Sequence, residues 1–381
     1  KIVKNTKMKK INLKNILKKT FNKKSIKKNK KKYKVPKKFR VTKITKKNKK
    51  VKKTIKLKIK TSPKYEKIIK EENKTENLSN RIYTTIAEAK KKHDAKACFI
   101  FVSFKEHHKL IIESLKLGMH TFCVKPIARN QKDFKDIINA HNLNPKLMLL
   151  QGYNNQWNEA ALKMREWMQS DQGIGKMLGG ECIAWGRQNV KKDQPQEVTN
   201  EGMFFHSLAC HQLSQLVASK GLPDYVTAYV HNRIDKDLNY QGVFGTSGGQ
   251  CLFEYPDGVP FSYTGTRAAH ANPFGFASRW SGRWIIHGEK GDIRREGGHL
   301  TLYKNGGPVE DYYLKDLDYN LIEDEKVQFK AFHEAITTEK NRKLLEQSSL
   351  NTWILMEACN ESARKNKKIS IHELKKYIYG K

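Results

Sequence analysis

From Ala97 to Ala128 the alternation of apolar and polar positions predicts a strand, a helix and a second strand. The run Ala97 to Val102 is short and apolar, and Leu110, Ile111, Ser114 and Leu115 follow at helical spacing. Gly118 stops that helix, and a second apolar run, Thr121 to Val124, ends abruptly in Lys125-Pro126. Such a unit belongs to a parallel sheet, and ligands of open α/β folds bind along the carboxyl edge where Lys125 falls. The pattern next predicts a helix capped by Asn130 and running through Ala140, with Phe134, Ile137 and Ile138 on one face. A buried strand is expected over Lys146 to Leu150, and a further helix from about Asn158 to Gln169 that stops at Gly173-Ile174-Gly175. Beyond that point the period changes. Glu181–Trp185, Tyr225–Val230, Gly249–Tyr255, Phe261–Arg267, Arg283–His287 and Leu300–Tyr303 read as strands parted by Gly, Pro, Asn or Asp. One helix, about Met203 to Ser219, interrupts them, and another, about Ser349 to Lys365, closes the chain. The expected fold class is α/β, with a parallel sheet joined to an α+β domain whose sheet is open and mostly antiparallel.

Composition separates a first segment from this body. Residues 1–60 hold 28 Lys and one Arg and no carboxylate, so +29 of the formal +37 lies there. No glycine precedes Gly118. A segment so basic buries too little apolar surface to offset its ordering entropy. Residues 1–75 are therefore expected to be a disordered, low-complexity extension, with strand-like alternation only at Thr54 to Lys60. Residues 1–60 would suit contact with nucleic acid or another anionic surface by counterion release. Lys27 to Lys38 fits a nuclear address. The segment also fits an AT-rich stretch standing in for a true amino terminus, as the chain does not begin with Met. The remaining residues, about 300, suit two domains, expected at 76–152 and 153–381. No apolar run reaches the length of a membrane span. Six scattered cysteines without a CxxC pair favour a reducing, intracellular and cytoplasmic setting.

The order of these elements and their local signatures resembles the Gfo/Idh/MocA oxidoreductases, from about Ile82 to the end of the chain. Members carry a strand, then Pro and His ahead of a helix, then Gly-Lys-His and Glu-Lys-Pro. Here the matching positions are Ser103, His107, Gly118-Met119-His120 and Val124-Lys125-Pro126. Asn154-Asn155-Gln156 matches the family's Asn-Arg-Arg segment, and Gly173-Ile174-Gly175 its Gly-x-Ile-Gly turn. Its Asp-x-Gly-x-His-x-x-Asp helix is matched by Ser207 through Ser214, with His211 at the histidine. The hairpin Gly288 to Gly291 also fits.

The resemblance implies a Rossmann-type domain, here incomplete or divergent, and an α+β domain that binds substrate and associates into homo-oligomers. It implies hydride transfer from a sugar or cyclitol carbinol to NAD or NADP. Lys125 and His211 would then be catalytic, the lysine holding the substrate oxygen and the histidine taking its proton. Ser103, His107, Lys125 and Pro126 would border the cofactor. Tyr153, Asn154, Trp157, Ser207 and His211 would border the substrate. Several residues depart from the family. Ser207 and Ser214 replace the two carboxylates of the histidine helix, Val124 replaces the glutamate beside the lysine, and Asn155-Gln156 replaces Arg-Arg. A Rossmann site also wants a glycine-rich turn after its first strand, which residues 1–117 lack. Activity is therefore expected to be impaired. The alternatives are an inactive relative serving as a binding or scaffold protein, and a body tethered to nucleic acid by its lysine arm. His206, Cys210, His211 and Glu201 invite a zinc reading, but no second cluster has ligand spacing, and no metal is expected. Arg267, Trp280, Arg283 and Trp284 would line a sugar cleft or pack a sheet face.

Overall fold

The computed structural model of the chain describes residues 83–186, 204–231, 248–266, 281–313 and 321–380. The expectations for residues 1–75, and those for Glu201, Met203, Arg267 and Trp280, lie outside the described residues. The chain forms two compact units, Lys1–Lys96 and Ala97–Lys381. The described part of the first holds helix α1 (Ile86–His93), capped by the Thr85 hydroxyl, which accepts from the Glu88 N–H at 3.1 Å.

The second unit opens with the parallel sheet. Strands β1 (Ala97–Ile100), β2 (His120–Val124) and β3 (Leu149–Gly152) lie in that order. Helices α2 (Phe104–Lys116) and α3 (Gln131–Asn142) make the crossovers. The predicted strand–helix–strand unit is thus present, although β1 stops at Ile100 and leaves Phe101 and Val102 54% and 47% exposed. Gly118, at φ 71°, adopts the left-handed backbone that follows α2. Asn130 caps α3 as expected, its side-chain oxygen accepting from the Asp133 N–H at 2.8 Å. The face of α3 with Phe134, Ile137 and Ile138 is buried.

The opposite face of the sheet is covered by α6 (Leu321–Thr338). Phe99 and Phe122 meet Phe329 and Phe332 edge-on, with ring centroids 5.2 to 5.8 Å apart. No helix was expected here. The buried positions of α6 include Asp324 and Gln328, 3% and 2% exposed, so its apolar stripe is broken by polar residues. Helix α4 (Glu159–Gln169) follows β3 and ends as predicted near Gly173. A Cβ at Gly173 would lie 2.0 Å from the Trp167 carbonyl oxygen, so the turn admits only glycine.

Nine strands form the second sheet. They are β4 (Met177–Trp185), β5 (Tyr225–His231), β6 (Gly248–Glu254), β7 (Pro260–Thr266), β8 (Arg283–Gly288), β9 (Gly291–Glu296), β10 (His299–Lys304), β11 (Gly307–Tyr313) and β12 (Ile369–Ser370). Their order is β11-β10-β9-β8-β4-β7-β6-β5-β12, and only β4 and β7 pair in parallel. This is the open, mostly antiparallel sheet that was expected. Strands β11 and β12 were not, and of β9 only its hairpin turn, Gly288 to Gly291, was. The inward positions of β9 are Ile293 and a fully buried Arg295, and edge strand β11 is largely exposed, so neither alternates apolar and polar residues cleanly. Helix α5 (Cys210–Lys220) matches the predicted interruption. The closing helix, α7 (Arg342–Lys365), begins seven residues before Ser349, and α8 (Ile371–Tyr379) follows it. Helix α7 packs on both β3 and β5, and one hydrophobic core runs through both sheets. Among the described residues no helix is long and apolar enough to cross a membrane.

A histidine pins α3 to α7. His141 Nε2 lies 3.0 Å from Glu346 Oε1 and 2.8 Å from the Leu147 carbonyl oxygen. Burial pushes its pKa down, but the Glu346 carboxylate outweighs this and the net shift is upward. A raised folded-state pKa gives stability that is complete below the unfolded value, about 6.5, and is lost as pH rises through the folded value. The melting-temperature gap between the wild type and His141→Asn should therefore be wider at about pH 5.5 than at about pH 8.5. Equal gaps at the two values would sink this assignment.

Candidate active site

The site is assembled where β2 and β3 reach the carboxyl edge of the parallel sheet. Val124 and Gly152 are register partners, so Lys125 and Tyr153 leave adjacent strands side by side. The Lys125-Pro126 peptide is cis. Half-buried Lys125 extends its ammonium to the Ser207 carbonyl, Nζ to O 2.8 Å. Ser207 sits within a π turn (Phe205–Ala209) that runs directly into α5. Such widened turns interrupt the ordinary helical ladder and recur at functional sites.

His211 lies one helical turn beyond Ser207 and is 5% exposed. Its Nδ1 is 2.8 Å from Asn155 Oδ1. Asn155 belongs to the 3-10 turn Asn154–Trp157 that follows β3. When Nδ1–H donates to this amide oxygen, the lone pair of neutral imidazole is on Nε2, as a general base requires. The Gln215 amide donates to the His211 carbonyl at 2.8 Å, and fully buried Arg295 donates to Gln215 Oε1 at 2.6 Å. The start of α5 is thereby tied to β9.

The remaining predicted residues fall into different places. Lys125, Ser207, Tyr153 and the neighbouring Cys210 come together. Burial pushes the Cys210 thiol up to about 11 while Lys125 pulls it down, so it stays protonated at neutral pH. Tyr153 is 1% exposed, and burial drives its phenol well above the usual range. Its hydroxyl has no hydrogen-bond partner. Asn154 is half-buried beside Asn155. Trp157 is 8% exposed. With the Gln328 amide turned so that its oxygen faces them, it accepts from Trp157 Nε1 at 3.1 Å and from the Tyr153 N–H at 3.0 Å. The Trp157 ring thus packs against α6, and Asn155 is the residue of this turn that reaches His211.

His107 and Ser103 lie on the other side of the Lys-Pro turn. His107 is buried, its Nδ1 donating to the Pro126 carbonyl at 2.7 Å and its Nε2 standing 3.2 Å from the Val102 carbonyl. It latches the buried Pro126 to the exit of β1. Ser103 is exposed at the start of α2, with its carbonyl accepting from the Glu106 N–H at 2.9 Å. Trp284 packs in the core and donates to the Ser281 carbonyl at 2.7 Å, while Arg283 lies 3.4 Å from Glu296. His206 Nε2 stands 3.5 Å from Glu357 Oε2. Among the described residues no group of three His, Cys, Asp or Glu could hold a metal ion.

A family model described as the NAD-binding Rossmann fold of the GFO_IDH_MocA oxidoreductases matches residues 29–151, and one for their C-terminal alpha/beta domain matches residues 187–371. The chain belongs to the Gfo/Idh/MocA oxidoreductase family. Its Rossmann match begins inside the lysine-rich segment. No curated protein sequence matches the chain. Solved structures share the fold. An oxidoreductase from Agrobacterium radiobacter, in complex with NAD+, L-tartaric acid and magnesium, is 18% identical. The match covers 82% of this chain and 89% of that one, with a TM-score of 0.65. A protein from Sinorhizobium meliloti assigned as a myo-inositol dehydrogenase is 20% identical over 75% of this chain and 84% of that one, at a TM-score of 0.60. A levoglucosan dehydrogenase in complex with NADH and levoglucosan is 16% identical over 75% and 86%, also at 0.60.

A nicotinamide cofactor fits the described edge in part. Exposed Ser103 and half-buried Lys125 border the carboxyl ends of β1 and β2, where the redox end of such a cofactor lies in a doubly wound sheet. The stretch before Tyr83 has no glycine to form the tight turn that a pyrophosphate usually requires.

Ser207 Oγ and Ser214 Oγ are both buried and neither has a hydrogen-bond partner. An unsatisfied buried hydroxyl costs about 1–3 kcal/mol. Ser214→Ala and Ser207→Ala should each leave the melting temperature unchanged or raise it, as differential scanning calorimetry would show. A clear drop in either variant would mean that its hydroxyl is bonded.

Proposed function

We propose that this Gfo/Idh/MocA protein is an NAD(P)-dependent dehydrogenase of a sugar or cyclitol carbinol, with activity below that of relatives bearing the family carboxylates. The observation that carries the reading is the placement of Lys125 against the turn that leads into His211, whose tautomer Asn155 sets. When bound, the nicotinamide supplies the hydride acceptor. Lys125 directs N–H donors at the carbinol oxygen and favours the charge that develops there. His211 Nε2 takes the hydroxyl proton. Asn155 holds the imidazole through Nδ1, and as a neutral amide it stabilises the resulting imidazolium less than a carboxylate would. Asn154 borders the substrate beside it, and Ser103 borders the cofactor. The substrate class is supported by the fold shared with the levoglucosan and myo-inositol proteins. The outer face of the open sheet, with Tyr229 and Leu252 58% and 44% exposed, would pack on a second copy of the chain.

The reading is tested by cofactor binding and then by turnover. At millimolar concentration NADH or NADPH should raise the melting temperature and quench intrinsic fluorescence; a ligand at 100 times its Kd adds about 2.7 kcal/mol. No shift with either would leave a non-catalytic relative as the better account. Across a panel of sugars and cyclitols, Lys125→Met should abolish turnover, and Ser207→Asp should raise it about tenfold or more. An unchanged Ser207→Asp rate would remove His211 as the base.

A further inference from the structure

Three residues of α7, Trp353, Glu357 and Glu361, are spaced by one turn and share a face. All three reach the segment that leaves Lys125-Pro126. Trp353 Nε1 donates to the Ala128 carbonyl at 3.2 Å, and its ring stacks on Phe134 at 3.9 Å. The Gln131 amide donates to Glu357 Oε1 at 3.0 Å and to Glu361 Oε2 at 3.3 Å. The same face reaches the π turn. Glu357 Oε2 stands 3.5 Å from His206 Nε2, and the His206 ring centroid lies 5.4 Å from that of Trp353. One carboxylate therefore touches both segments whose meeting places Lys125, six residues before Gln131 and across from the Ser207 that follows His206.

Glu357 and His206 are 5% and 3% exposed. Burial pushes the Glu357 carboxyl up, but His206, Gln131 and Arg364 pull it further down, so it is ionised at neutral pH. A buried charge is kept only where its partners hold it well, and it then resists displacement. Nothing in the proposed chemistry uses either residue.

We infer that Glu357 and His206 are positioning residues for Lys125: the carboxylate clamps the Lys-Pro exit and the π turn together, so that the Ser207 carbonyl is presented to Nζ. The clamp acts on the placement of one amine, and its test needs neither substrate nor cofactor. The carbonyl engages Nζ within a half-buried site, so loosening the clamp exposes a more accessible amine.

The experiment is limited reductive methylation of the full chain with formaldehyde and cyanoborohydride, resolved by peptide mass spectrometry. In Glu357→Gln the Lys125 labelling rate should rise about fivefold, and similarly in His206→Gln, with the double variant no faster than the faster single one. Lys132, whose side chain is 80% exposed, serves as the internal reference and should not change. Glu357→Asp should restore part of the protection, whereas His141→Asn, destabilised far from the clamp, should leave Lys125 at the wild-type rate. If Glu357→Gln fails to fold, Gln131→Ala removes only the arm nearest Lys125 and should still raise its rate about twofold or more. A Lys125 rate equal to the wild type in folded Glu357→Gln or in Gln131→Ala overturns the inference, as do single effects that multiply in the double variant.

Discussion

The hydrogen bond from Lys125 Nζ to the Ser207 carbonyl, 2.8 Å long and 82 residues apart in sequence, is the contact on which the proposed site depends. It joins the edge of the parallel sheet to the helix that carries His211. With the bond from His211 to Asn155, it sets the two residues with proposed chemistry in relation to each other. Its partner is a backbone oxygen within the widened turn at Phe205–Ala209. The position of Lys125 therefore follows from the shape of a backbone turn and from what holds that turn.

What was legible in the chain follows from whether one local signal sufficed. Helix α3 was plain, because Asn130 caps it and Phe134, Ile137 and Ile138 mark its buried face at helical spacing. The end of α4 was plain, because only glycine tolerates the approach of the Trp167 carbonyl at Gly173. Helix α6 and strand β9 were hidden for one shared reason. Each points polar side chains inward, Asp324 and Gln328 in one and Arg295 in the other, and so breaks the period that identifies a buried face. In the proposed site, Lys125 and His211 were singled out by the family motifs that the chain resembles. Asn155 and Glu357 were not, since they meet their partners across 56 and 151 residues, and no local pattern marks such a contact.

Polar burial in this region is uneven. The hydroxyls of Ser207 and Ser214 and the amide of Gln151 lie buried with no partner, yet Glu357 gathers His206, Gln131 and Arg364 around one carboxylate. Unsatisfied groups subtract about 1–3 kcal/mol each, whereas a buried charge missing its partners subtracts more. The chain thus tolerates the smaller penalties at Ser207 and Ser214. It keeps the charge where two segments must be held together.

The neutral residues around the proposed site also bear on how work would divide between Lys125 and His211. Among the described residues no carboxylate pairs with Lys125, and Ser207, Ser214 and Val124 carry no charge. An aspartate at position 207 would favour imidazolium on His211, but it would also draw the Lys125 charge toward itself. With a neutral carbonyl as its anchor, the ammonium keeps its full field for an oxygen placed before it, and in a water-poor site that field weakens slowly with distance. Asn155 can orient His211 without adding to the stability of its cation. If the two residues take the proposed roles, stabilisation of the developing alkoxide by Lys125 becomes the larger share of catalysis and proton acceptance by His211 the smaller. The reaction would then depend more steeply on whatever holds Lys125 in place, which on this geometry is the grip of α7 on the two segments that meet at Ser207.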